Sequence, residues 1–329
     1  MISVFSYLIC LGNISAQSLT EPMPGAKVGK KNSSTRPAQK APDVYPKTVP
    51  SPTMANVKYG PVARNVLDLW QVKSDKPTPL VLFIHGGGWV NGSKERIEAC
   101  VKVKDLLDAG ISVAAINYRF IAQAAQEGLK PPVIGPLHDA ARALQYLRHN
   151  AKEWNLDPQC VGLSGSSAGA CTSLWLAFHD DLADPKNTDP IARQSSRPQH
   201  VAVLRAQTTL DPEQAKVWLP NSTYGAHAFG KKSFAEALAD RKNLLPWILE
   251  YSPYALVSQD DCPVAIFYDD IPVMGEARKD PTHSANHGIG LQKRCQSMRV
   301  SCEVIHPGNK NPPYKTATEY LIHKLKAKP

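Results

Sequence analysis

The chain has 329 residues, of which 43% are hydrophobic, 20% charged and 7% aromatic. That balance suits one globular domain and excludes an intrinsically disordered chain, a collagen-like chain and a disulfide-dense miniprotein. The formal net charge is +9, yet no basic stripe or interleaved aromatic platform is present, so no nucleic-acid partner is expected.

The N-terminus carries a short apolar run, Val4–Leu11 (VFSYLICL), followed by the small-residue stretch Ile14-Ser15-Ala16. This pattern predicts a signal peptide over residues 1–16 and an exported protein, periplasmic or extracellular. The run lacks a preceding Lys or Arg, and a disordered apolar tail is the other reading. No apolar run reaches the roughly 18 residues that a membrane helix needs, so no transmembrane segment is expected. Residues 17–54 are rich in Pro, Lys and Ser and poor in large apolar side chains. They cannot bury enough surface to offset ordering, which predicts a disordered linker before a domain over residues 55–329.

Within that domain, short β-branched runs alternate with longer helical segments. Strands are predicted at Leu80–Ile84, Ile111–Tyr118, Cys160–Ser164, His200–Ala206, Pro263–Tyr268 and Ser301–His306. Helices are predicted at Lys94–Ala109 with Gly110 as its C-terminal cap, then at Leu137–Trp154, Ala168–Phe178, Ser284–Met298 and Thr316–Leu325. Residues 57–75 read as an antiparallel edge hairpin. Strand–helix alternation implies an α/β fold, a mostly parallel doubly wound sheet covered on both faces. Residues 211–258 break the alternation and hold seven aromatics, which reads as an inserted helical cap.

Seven cysteines are present; removing Cys10 with the signal leaves Cys100, Cys160, Cys171, Cys262, Cys295 and Cys302. An even number fits an oxidising compartment, although the density is too low for a disulfide framework. Cys295 and Cys302 are close enough in sequence to bridge a helix end to the next strand, or to be buried thiols. No CxxC pair or His/Cys cluster has metal-ligand spacing, so no metal is expected.

Chemistry concentrates at two strand ends. Gly165-Ser166-Ser167-Ala168-Gly169 is a G-x-S-x-G sequence between a strand and a helix, the setting in which a sharp turn exposes a strained serine hydroxyl. His85-Gly86-Gly87-Gly88-Trp89 follows an earlier strand. Its glycines let backbone amides turn inward, so those of Gly87 and Gly88, with that of Ala168, form a candidate oxyanion hole. His85, at the strand end, suits bracing the loop.

With YGPVARNVLDLW (59–70), FIHGGGW (83–89) and GLSGSSAGA (162–170), the chain resembles the α/β-hydrolase esterases and lipases of the HGGGW type, the hormone-sensitive-lipase-like and carboxylesterase-like enzymes. DDLADP, PNSTYGAHAFG, LLPWILEYSPY and DPTHSANHG are similar to segments of exported bacterial hydrolases known only by their fold. The resemblance implies a nucleophile, an acid and a histidine in that chain order, with no metal or organic cofactor.

Ser167 is the implied nucleophile. Asp269, Asp270 and Asp280 follow the strand that should precede the acid, and Asp280 is the favoured one. The histidine expected after the last strand is missing from Pro307–Lys315, where Tyr314 stands in its approximate place. An ordinary phenol, with a pKa near 10, is a poor base at neutral pH. His306, at the end of that strand, is the nearest substitute. His283 and His287 lie in the acid loop and could serve only if that loop folds over Ser167. His227 of the cap is a candidate substrate contact, and His323 a surface residue.

Two functions follow. One is a serine carboxylic-ester hydrolase acting on a small-molecule or polysaccharide-linked ester. The other is a catalytically impaired binding protein that keeps the pocket and lacks the base. A histidine within hydrogen-bond reach of Ser167 discriminates them. The aromatic cap favours a partly apolar substrate.

Overall fold

The structure is a computed structural model and describes residues 44–327. The expected signal peptide, residues 1–16, lies outside the described residues, as do residues 17–43 of the expected linker.

The chain enters the sheet through β1 (Met54–Lys58), β2 (Val66–Trp70) and β3 (Thr78–Ile84). A 3₁₀ turn, Lys94–Ala99, then leads to α1 (Val103–Asp108), β4 (Ser112–Ile116), α2 (Ile121–Gln126) and α3 (Ile134–His149). β5 (Leu156–Ser166) runs into α4 (Ala168–Phe178), and β6 (His200–Leu204) follows. Between β6 and β7 lie α5 (Pro212–Trp218), α6 (Phe234–Ala239), α7 (Arg241–Tyr251) and α8 (Pro253–Leu256). The chain closes with β7 (Val264–Phe267), α9 (Asn286–Ser297), β8 (Cys302–Ile305) and α10 (Ala317–Lys326).

Among the described residues the eight strands form one sheet in the order β1-β2-β4-β3-β5-β6-β7-β8. β1 and β2 are antiparallel to their neighbours, as the edge hairpin predicts, and β3 to β8 are all parallel. The period of two sorts side chains onto two cores. Leu80, Leu82 and Ile84 of β3 pack with Leu144 of α3 and Trp175 of α4 on one face. Val81 and Phe83 pack with Leu106 of α1 and Leu321 of α10 on the other. Both faces are dry, which is why these strands read as unbroken apolar runs.

Three elements depart from the sequence pattern. The helix expected over Lys94–Ala109 breaks at Cys100–Lys102, where the Lys102 amide donates to Thr318 Oγ1 at 2.9 Å. The break lets Ile97, Val101, Val103 and Leu106 all be buried. Gly110 does end the second piece, at φ +80°. The short α2 has too few apolar positions to show a period. Packing also begins earlier than the linker expectation allowed. Tyr45 donates to Asp68 Oδ2 at 2.7 Å, and the Trp70 indole donates to the Pro50 carbonyl at 2.7 Å. Asp68 is buried against Lys94 Nζ at 2.9 Å, so this N-terminal strap covers a buried ion pair.

Among the described residues no helix is long and apolar enough to cross a membrane. The six described cysteines are free thiols.

Candidate active site

The parallel strands deliver their carboxyl ends to one edge, and the sharp features of the backbone gather there. Four described residues that are neither Gly nor Asn adopt a positive φ, and three of them, Trp89, Ser167 and Arg205, follow β3, β5 and β6. Strain held at one edge by rigid strands marks a functional site.

Ser167 sits at φ +54° between β5 and α4. Its amide donates to the Leu204 carbonyl of β6 at 3.0 Å, which holds the turn. The bend is possible because α4 lies almost on top of β3. A Cβ on Gly169 would stand 2.0 Å from the Ile84 carbonyl oxygen, and one on Gly165 would stand 2.6 Å from Gly169 backbone. Ala168, the first residue of α4, points its amide out of the helix N-terminus, where partial positive charge accumulates.

The glycine loop packs against this bend. A Cβ on Gly86 would meet the Ser166 carbonyl oxygen at 2.5 Å, and Gly87 and Gly88 adopt φ +110° and +63°. Trp89 pins the loop to α4 by donating to Thr172 Oγ1 at 3.0 Å. His227, between α5 and α6, places Nε2 at 3.1 Å from the Gly88 carbonyl. His85 braces the loop from inside, with Nδ1 at 2.8 Å from the Gly86 carbonyl and its ring stacked on Tyr118 at 4.1 Å. Arg64 lies 3.4 Å from its Nε2, so Nδ1 carries the proton.

The imidazole that meets Ser167 belongs to His283. Its Nε2 stands 3.0 Å from Ser167 Oγ, and its Nδ1 stands 2.8 Å from Asp280 Oδ2. Asp280 caps a 3₁₀ turn over Pro281–His283, and His283 is its last residue. In that geometry residues three apart eclipse, so the carboxylate and the ring face each other. With Nδ1–H donating to Asp280, Nε2 is left as the acceptor for the serine hydroxyl.

The loop after β7 is folded over the site by the contacts of three residues. Asp270 accepts from Ser284 Oγ at 2.9 Å and from the Ala285 amide at 2.7 Å. Gln207 donates to the Thr282 carbonyl at 2.7 Å. Asn286 accepts from the Val273 amide at 2.8 Å and donates to the Trp218 carbonyl at 2.8 Å.

His306, the base expected from the sequence, makes no hydrogen bond to Ser167 among the described residues. It lies on the turn after β8, where the Gly308 amide donates to its Nδ1 at 3.1 Å and Asn309 caps its backbone at 2.7 Å. Tyr314 pairs with His323 at 2.9 Å, away from the serine. Of the three carboxylates weighed for the acid, Asp280 contacts His283. Asp270 holds the start of α9, and Asp269 pairs with Arg205. The signal that sequence reasoning passed over was D-P-T-H, whose spacing of three suits a single 3₁₀ turn.

Burial sets the charge of two histidines, His85 and His287. Desolvation pushes His85 down to about 3 and His287 down to about 4, from an ordinary 6.5. Both stay neutral in the folded chain, while the unfolded chain protonates them below about pH 6.5. Stability is therefore full above pH 6.5 and declines as pH falls toward 4. The expected loss is about 2 kcal/mol per histidine between pH 6.5 and 5. Urea midpoints measured across that interval check it, and a flat profile would contradict neutral buried rings.

Known proteins share this frame. The truncated form of a carbohydrate esterase from gut microbiota matches with a TM-score of 0.61 and 19% identity, over 86% of this chain and all of that one, 100%. The thermophilic esterase Est2 of Thermogutta terrifontis matches with a TM-score of 0.56 and 21% identity, over 82% of this chain and 88% of that one. Among curated relatives, the probable isoprenylcysteine alpha-carbonyl methylesterase ICMEL1 of Oryza sativa is 32% identical over 145 residues, 42% of this chain and 32% of that protein. Esterase LipQ of Mycobacterium tuberculosis is 29% identical over 131 residues, 38% of this chain and 28% of that protein. The chain thus spans about a third of the length of these two relatives. The BD-FAE family model matches residues 67–273, well over half of the chain. With its α/β-hydrolase sheet and strained serine bend, the chain belongs to the BD-FAE family.

Proposed function

We propose that the protein is a serine carboxylic-ester hydrolase with Ser167 as nucleophile, His283 as base and Asp280 as acid. The observation that carries this reading is the line Ser167 Oγ, His283 Nε2 at 3.0 Å, and His283 Nδ1 to Asp280 Oδ2 at 2.8 Å. As Ser167 Oγ attacks the ester carbonyl carbon, its proton passes to His283 Nε2. The amides of Gly87, Gly88 and Ala168 stabilise the oxyanion. Collapse of the tetrahedral intermediate expels the alcohol, which takes the proton from His283 and leaves an acyl-enzyme. Water, deprotonated by the same ring, releases the acid and restores the serine.

A binding protein without a base is the weaker reading, since it rested on the empty β8 turn and the loop after β7 supplies an imidazole instead. The substrate class is a small-molecule or polysaccharide-linked ester, for which the named esterases of the same fold give support.

The acid is exposed, with 62% of the Asp280 side chain open to solvent against 31% of His283. Water screens such a pair, so its contribution to catalysis falls below that of a buried triad acid. Asp280→Asn is expected to lower kcat for p-nitrophenyl acetate by about 10- to 100-fold, mainly through the histidine tautomer. Unchanged turnover in that variant would remove Asp280 from the machinery. Absence of turnover in the parent protein would remove the hydrolase reading.

A further inference from the structure

Next to His283 the edge opens into a cleft of about 520 Å³, walled by Arg205, Arg278 and Lys279 together with Asp269, Asp270 and Asp280. We propose that the ester taken by this site carries a carboxylate, read by Arg205 and Lys279; the inference rests on the hydrolase reading above and specifies its substrate.

The three carboxylates of the cleft are engaged. Asp280 faces His283, Asp270 satisfies the start of α9, and Asp269 holds Arg205. The cations retain unused donors. Arg205 contacts Asp269 through Nε alone, and among the described residues its terminal amino groups make no hydrogen bond. Arg278 uses one amino group, on the Ile271 carbonyl at 2.8 Å and at 3.5 Å from Asp270. No carboxylate among the described residues lies within ion-pair distance of Lys279. A guanidinium with a free edge matches the planar geometry of a carboxylate, and a nearby ammonium adds charge without orientation.

Arg205 is the independent observation. It follows β6 directly, at φ +52°, where glycine or asparagine is the ordinary occupant. Its amide stays in the sheet, donating to the Phe267 carbonyl at 2.8 Å, while the preceding carbonyl, that of Leu204, accepts the amide of Ser167. The strained arginine therefore stands one residue from a backbone contact of the nucleophile, with its side chain in the cleft wall. The net charge of +9 adds a long-range attraction for anions.

The carboxylate can sit on the acyl or the alcohol side of the ester, and two substrate pairs separate these. The acyl pair is p-nitrophenyl hydrogen adipate against p-nitrophenyl hexanoate. The alcohol pair is para-acetoxybenzoate against its methyl ester. Each is corrected for spontaneous hydrolysis. At low ionic strength kcat/KM for the anionic member of one pair is expected to exceed that of the neutral member by about tenfold, and to fall toward parity in high salt. Arg205→Gln and Lys279→Gln should each reduce that ratio by about threefold or more. A neutral ester that is hydrolysed while both ratios stay at or below one overturns this proposal alone. So does a ratio that neither substitution moves. Failure of every ester, with no fluorophosphonate adduct on Ser167, overturns the hydrolase reading and this inference with it.

Discussion

His283→Ala is expected to lower kcat for p-nitrophenyl acetate by about 10⁴-fold, with KM little changed, because the ring acts on the serine and makes no ground-state contact that binding requires. His306→Ala, by contrast, should leave turnover within about twofold, as expected for a surface change that touches none of the reacting groups. The contrast separates two placements of the base, after β7 and after β8. The 3.0 Å contact of His283 Nε2 with Ser167 Oγ carries the first. The turn of His306, closed on Asn309 and Gly308, gives no support to the second. Steady-state kinetics on the purified variants check it, with circular dichroism to show that each is folded. Equal losses in both variants, or a loss confined to His306→Ala, would return the base to the β8 turn.

Gly169→Ala is expected to have the largest effect on stability. The added methyl would stand 2.0 Å from the Ile84 carbonyl oxygen and 2.6 Å from that of His85, both backbone atoms of the strand end that cannot rotate away. α4 would have to lift from β3, opening the interior around Trp175 and Leu174, which are fully buried. Overpacking of this kind costs about 3 kcal/mol or more. For a domain of this size that lowers Tm by about 6–12 °C. Gly110→Ala is the matched control. It too is left-handed, at φ +80°, but nothing lies within 4 Å of its added methyl. Its cost is torsional alone, about 1 kcal/mol. Similar Tm values for the two variants would contradict the close approach of α4 to β3.

Much of this frame is legible in the sequence, because the forces that set it are local. LVLFI, PVAIFY and their neighbours are apolar on both faces, which only a sheet covered on both sides accommodates, and α4 spans the range its pattern predicts. The bend at Ser167 is legible because the G-x-S-x-G run, the strand before it and the helix after it are contiguous in the sequence, although its glycines are required by the distant approach of α4 to the end of β3. The contact of His283 with Ser167 was not legible, because it depends on a long-range event. His283 reaches Ser167 only once Gln207, Asp270 and Asn286 have folded the acid loop across the sheet edge, and those contacts join residues up to 75 positions apart. The strap at Tyr45 escaped for a related reason. A polar, proline-rich segment docks there because Asp68 and Trp70 offer buried partners that no local pattern announces. The break at Cys100–Lys102 was hidden by apolar spacing that a continuous helix would also satisfy.

The most direct test is covalent. A fluorophosphonate probe reacts with a serine hydroxyl only where a base and an oxyanion site activate it. Intact-mass analysis followed by peptide mapping should find one adduct, on Ser167, absent from Ser167→Ala and strongly slowed in His283→Ala. An adduct on another residue, or none in protein that hydrolyses p-nitrophenyl acetate, would contradict Ser167 as the nucleophile.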